Sequence, residues 1–127
     1  MIPSSQSVGT LGESIACTYL QRKGYAIVER NFQNTKGYKY GEIDIIALQG
    51  EIIIFVEVKT RIARSSDTVL PEENISPQKL RHLEKIASTY LTIKKLWKKE
   101  YRFDALSILI DPHTKNAKVR HLEHIFF

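Results

Sequence analysis

The chain has 127 residues, 43% hydrophobic and 26% charged, with a net charge of +5 and one cysteine. That length gives a single domain, residues 1–127, able to bury about two-thirds of its unfolded surface without disulfides or metal staples. One cysteine excludes an internal disulfide, no apolar run reaches membrane-span length, and MIPSSQSVGT carries no signal pattern, so the cytoplasm is expected, with an anionic partner, nucleic acid first, favoured by the basic balance.

Residues 1–7 read as a tail. A helix is predicted from Val8 or Thr10 to Lys23, because Val8, Leu11, Ile15, Ala16, Tyr19 and Leu20 fall on one stripe and Gly24 suits the position after a helix end. Cys17 reads as a small buried residue. Thr10 and Glu13 have the spacing of a capping box. Tyr25–Phe32 is a first strand, followed by a polar loop in which Lys36 and Lys39 interleave with Tyr38 and Tyr40. Gly41–Leu48 then alternates, with Ile43 and Ile45 on one face and Glu42, Asp44 and Ile46 on the other. Gln49-Gly50 is a two-residue turn.

Ile52–Val58 is almost wholly apolar, the pattern of a central strand covered on both faces. It ends in Glu57 and Lys59, two residues apart and therefore on one face. A carboxylate and an ammonium there are costly to desolvate unless paired or used. Paired strands lie about 4.8 Å apart, so Asp44 and Glu57 can meet across the hairpin. Their repulsion would be relieved by a divalent cation, and hard oxygen ligands suit Mg²⁺ (or Mn²⁺).

Residues 62–75 show no periodicity and form a loop beside this hairpin. Ser76-Pro77 starts a helix running to about Trp97, with Leu80, Leu83, Ala87, Tyr90 and Leu91 on its core face. Between Ser76 and Phe103, eight Lys or Arg residues stand against two Glu, a local charge of +6 that leaves the rest of the chain at −1. The asymmetry marks a nucleic-acid footprint, with Lys79, Lys94, Lys95, Lys98 and Lys99 as candidate phosphate contacts; a solvated helix face is the plainer alternative. Phe103–Ile110 is a fourth strand whose charged interior residue, Asp104, reads as a brace pairing with Lys79 or Arg102. Ala117–Leu122 is the last strand. His82, His113, His121 and His124 fit no zinc spacing and read as surface residues. A meander followed by a helical crossover gives a mixed sheet, with the fourth strand parallel to the third.

Asp44 with Glu57-Val58-Lys59 resembles the core of the PD-(D/E)xK nuclease superfamily. The resemblance extends through Gly9, Gly12-Glu13, Ala16, Tyr19-Leu20, Gly24-Tyr25, Arg30-Asn31, Gly41-Glu42-Ile43-Asp44, Phe55 to Lys59, Arg61, Lys79 and Arg102-Phe103-Asp104, and is closest to the bacterial UPF0102 (YraN-like) family, itself similar to archaeal Holliday-junction resolvases. GEID, VEVKTR and RFD in this order carry the match. It implies an α/β, restriction-endonuclease-like mixed sheet flanked by helices, with an αβββαβ core. It also implies that Glu13 is a further acidic group facing a metal site.

The expected activity is Mg-dependent hydrolysis of DNA phosphodiesters, in branched or junction forms. Asp44, Glu57 and the Val58 carbonyl would hold the metal, Lys59 would assist catalysis, and Arg61 would hold a flanking phosphate. Glu42 would add to the acidic cluster or sit solvated at the strand's start. A homodimer enters by analogy alone. The alternatives are a nucleic-acid-binding module with this fold that does not cut, and an interaction protein in which Glu57 and Lys59 form an internal ion pair.

Overall fold

The computed structural model describes residues 5–33, 41–63 and 76–125. Their elements are α1 (Ser5–Arg22), β1 (Ala26–Gln33), β2 (Glu42–Gln49), β3 (Ile52–Ile62), α2 (Pro77–Ile93), β4 (Tyr101–Ile110) and β5 (Ala117–Leu122). The strands form one sheet in the order β1-β2-β3-β4-β5, in which only β3 and β4 are parallel. Helix α2 lies in the crossover that a parallel pair requires. The mixed, helix-flanked sheet is the predicted class and is compatible with a restriction-endonuclease-like fold. Among the described residues no helix is long and apolar enough to cross a membrane.

Each helix covers one sheet face. Ala16 and Leu20 of α1 pack on Ile45, Ala47, Ile54, Val56, Leu106 and Ile108. Leu83, Ile86, Ala87, Tyr90 and Leu91 of α2 pack on Ile43, Ile46, Ile53, Phe55 and Phe103. Strand β3 is central and contributes to both layers, Ile54 and Val56 to one and Ile53 and Phe55 to the other, which accounts for its unbroken apolar run. Phe55 stacks on Phe103 at 5.2 Å and meets the edge of Tyr90 at 5.9 Å.

Four local expectations change. Helix α1 begins at Ser5, so Thr10 lies inside it and cannot cap it. The hairpin register pairs Gln49 with Ile52, which makes Gly50-Glu51 the turn, with Gly50 at φ +62°. Helix α2 has the predicted Ser76 cap, whose hydroxyl accepts from the Lys79 N–H at 3.1 Å, but it ends at Ile93 rather than near Trp97. The chain there turns left-handed at Lys95 (φ +57°), and the Lys95 and Leu96 N–H groups return to the carbonyls of Thr92 and Leu91. This is a Schellman ending with lysine where glycine is usual, so the sequence carries no stop signal. Lys94 is consequently the cap, and Lys95, Lys98 and Lys99 lie on the α2–β4 connection.

The fourth change concerns Ile43 and Ile45, which enter opposite layers, Ile43 with α2 and Ile45 with α1. Residues two apart on a regular strand share a face, so β2 changes face between them. Pairs Arg30–Ile45 and Phe32–Ile43 flank Asn31, which stands opposite Asp44 with φ +55°. Asparagine is one of the few residues that adopts this backbone readily.

Candidate metal centre

The β2–β3 ladder runs from Gln49–Ile52 to Ile45–Val56. Asp44 and Glu57 are the next residues on the two strands, close enough for the Glu57 charge to act on Asp44, as the sequence led one to expect. Beyond that pair the Val58 N–H donates to the Asp44 carboxylate, Oδ2, at 2.7 Å. Asp44 and Glu57 are both buried. Burial first, and the Glu57 charge second, raise the Asp44 carboxyl from 3.8 to about 8, against the pull of the Val58 N–H. The two carboxyls lie close enough for each charge to disfavour the other.

Glu57 is short of partners. Its Oε2 is buried without a hydrogen bond among the described residues, with the Lys79 ammonium at 3.6 Å and the Lys59 ammonium 4.0 Å from Oε1. Both lysines are about two-fifths exposed. The Glu57–Lys59 pair is therefore loose and half-solvated, and it does not account for a buried carboxylate.

Glu13 approaches Asp44 from α1. A Cβ at Gly12 would lie 1.8 Å from Thr60 Oγ1, so only glycine lets the helix approach β3 this closely. The next residue, Glu13, then projects toward β1, accepting from Asn31 Nδ2 at 3.1 and 3.2 Å and lying 3.5 Å from Arg30 Nη2. Asn31 also donates to Glu42 Oε1 at 3.1 Å, and Gln33 donates to Glu42 Oε2 at 3.3 Å. Ligand oxygens of Glu13, Glu42 and Asp44 all lie within 4.8 Å of one another. This group of three could hold a metal ion; of the expected ligand pair it contains Asp44 but not Glu57. Glu13 forms no capping box with Thr10, which lies inside α1, and Glu42 is half-buried in the cluster rather than solvated.

The remaining predicted residues divide. Arg61 continues β3 beyond Lys59, is exposed, and faces the same layer as Glu57 by strand alternation. Lys79 lies in the first turn of α2, beside Glu57. Lys94, Lys95, Lys98 and Lys99 lie beyond the other end of α2, with Lys98 and Lys99 beside the β2–β3 turn, away from the carboxylates. Lys36, Lys39 and residues 64–75 fall outside the described residues.

Asp104 is a brace, as expected, held by Arg102 Nε at 3.0 Å; Lys79 takes no part, being drawn to Glu57. The brace has a further member, His121, whose Nε2 is 2.8 Å from Asp104 and whose side chain is only 5% exposed. His121 is therefore not a surface histidine. The Asp104 carboxyl is held below its usual range despite burial, by His121, Arg102 and the His124 N–H. Cys17 is half-buried with its thiol pushed up by burial, as suits a packing residue.

Sequence reasoning gave no role to Asn31, Arg30 or Gly12. A polar Asn inside a strand was the available signal for Asn31, and a glycine inside an apolar-striped helix was the signal for Gly12.

The model of the uncharacterised protein family UPF0102 matches residues 12–108. The chain belongs to the UPF0102 family. It is 39% identical over 123 residues to a UPF0102 protein of Dictyoglomus turgidum, covering 97% of this chain and 99% of that one. It is 42% identical over 122 residues to one of Alkaliphilus metalliredigens (96% and 99%), and 44% identical over 121 residues to one of Geotalea uraniireducens (95% and 87%). The UPF0102 match begins at Gly12, the glycine that seats α1, and includes every acidic residue of the cluster.

Proposed function

We propose that this UPF0102 chain is a metal-dependent endonuclease that hydrolyses phosphodiesters of DNA, in branched or junction forms. The observation that carries the reading is Asp44: a buried carboxylate whose ionisation is opposed by burial and by Glu57, with ligand oxygens of Glu13 and Glu42 within 4.8 Å, and with a Glu57 oxygen beside it that has no hydrogen bond among the described residues. Such a set fits a hard divalent cation, Mg²⁺ or Mn²⁺, with Asp44 and Glu57 as principal ligands and the Val58 carbonyl, Glu13 and Glu42 as the others available. When bound, the metal supplies Lewis-acid polarisation of the phosphate and a more acidic water. Asn31 holds Glu13 and Glu42 in place with both of its amide hydrogens. Lys59, half-exposed at the edge of the carboxylates, orients the attacking water or offsets charge developing on the phosphate. Lys79 and Arg61 hold flanking phosphates.

Asp44→Ala and Lys59→Ala are each expected to abolish cleavage of junction and branched DNA in Mg²⁺ or Mn²⁺ without lowering the melting temperature. Cleavage surviving in both variants would sink the assignment. A metal-dependent rise in melting temperature without cleavage by the parent would point to a binding module that does not cut. No response to metal or DNA would leave Glu57 and Lys59 as an internal ion pair.

A further inference from the structure

Beyond the carboxylates, the sheet register draws a second polar line. Lys59 of β3 is the direct neighbour of Ser107 of β4, and Ser107 is the direct neighbour of Arg120 of β5. The three stand in one row across three strands. They also share a face. Val58, Leu106 and Val119, each one residue away, pack into the α1 layer, so Lys59, Ser107 and Arg120 lie on the opposite side, with Glu57. In the middle of the row, Ser107 is 1% exposed and its hydroxyl has no hydrogen-bond partner among the described residues. A buried hydroxyl left unpaired in a native sheet calls for an explanation. Its two row neighbours are long cationic side chains, Lys59 partly exposed and Arg120 exposed. Both can rotate to admit an anionic oxygen between them.

We infer that Lys59, Ser107 and Arg120 form a subsite for a second backbone phosphate of the nucleic-acid substrate. Adjacent strands are about 4.8 Å apart, so the Lys59 and Arg120 backbones are separated by roughly 10 Å, a width that two long cationic side chains close around one phosphate. The row lies two residues beyond Glu57 along β3, a rise of about 7 Å, comparable to the separation of successive phosphates along a strand. The phosphate satisfies the Ser107 hydroxyl as acceptor, and the two cations supply charge-assisted hydrogen bonds. The chain path would thus run from the carboxylates across β4 toward the β5 edge. The inference rests on the phosphodiester reading above.

The test uses the full chain with fluorescent duplex oligonucleotides, in EDTA so that nothing is cut. Arg120→Gln is expected to flatten the slope of log K against log salt by about 0.9. Ser107→Ala is expected to weaken binding roughly tenfold, the loss of one hydrogen bond to a charged group, while the melting temperature stays level or rises, because an unpaired hydroxyl has been removed. Arg22→Gln, an exposed cation on α1, serves as the control and should keep the parental slope. If Ser107→Ala lowers the melting temperature and leaves binding unchanged, the hydroxyl serves the fold and the subsite is overturned. If Arg120→Gln keeps the parental slope while the parent binds in EDTA and, in a separate assay with Mn²⁺, cuts the same DNA, the subsite falls and the nuclease reading stands. A parent that binds no nucleic acid even at low salt overturns both.

Discussion

At Asp44, burial and the neighbouring Glu57 charge act together against ionisation, and the carboxyl is raised to about 8. The unfolded chain loses this proton near 3.8, so between about pH 4 and pH 8 the folded state binds the extra proton. Stability of the metal-free protein is therefore expected to fall as pH rises through that window, by several kcal/mol at most, since each tenfold change in proton affinity is worth about 1.4 kcal/mol. Asp44→Asn should remove most of the slope, and saturating Mg²⁺ or Mn²⁺ should oppose it, because a bound cation replaces the proton. Urea midpoints in EDTA at several pH values check this; a parental curve flat across the window would contradict it. Asp44 and Glu57 were legible in the sequence because charged residues in apolar strands stand out. Asn31 was not, because its role depends on a left-handed backbone that no residue pattern announces. With that backbone, one amide donates to both Glu13 and Glu42.

Elements were legible wherever periodicity and caps agreed. Strand β5 has its predicted limits, and the parallel β3–β4 pair follows from the single helical crossover. Helix ends were less legible, since α2 stops at a left-handed lysine and α1 extends upstream of its apolar stripe. The seat of α1 on β3 has a specific consequence. Gly12→Ala forces a methyl into Thr60, and either the helix lifts or β3 shifts. The expected loss is about 1–3 kcal/mol of stability, as for other overpacked sites. Because Glu13 is the next residue, lifting the helix also draws its carboxylate away from Glu42 and Asp44. Gly12→Ala should therefore lower the stabilisation gained from Mn²⁺ in addition to lowering the metal-free melting temperature. Gly9→Ala, where an added methyl meets nothing within 4 Å, should leave both measurements near the parental values.

On the scale of the whole molecule, the charge legible in the sequence and the chemistry legible in the sequence fall at opposite ends of α2. Lys79, in its first turn, touches Glu57, whereas Lys94 caps its far end and Lys95, Lys98 and Lys99 follow. A helix rises about 1.5 Å per residue, so the two ends are roughly 20–25 Å apart. Linear sequence shows that the segment is basic but not that its ends are separated by that length. The lysine cluster therefore cannot grip the phosphate at the carboxylates; if it meets DNA, it meets a portion about seven base pairs away at 3.4 Å per pair. Replacing Lys94, Lys95, Lys98 and Lys99 together with Gln is then expected to act according to substrate length. On duplexes well beyond that span, the log K against log salt slope should flatten by roughly 3 to 4 units, about 0.9 for each phosphate that is no longer neutralised, on all sequences alike. On a hairpin of about six base pairs bound at the carboxylates, parent and variant should show the same slope, and metal-dependent stabilisation should be unchanged, because Asp44 and Glu57 lie on other elements. An unchanged slope on the long duplex would make the four lysines a solvated face, and would put the phosphate contacts around Arg61 and Lys79, beside the carboxylates themselves.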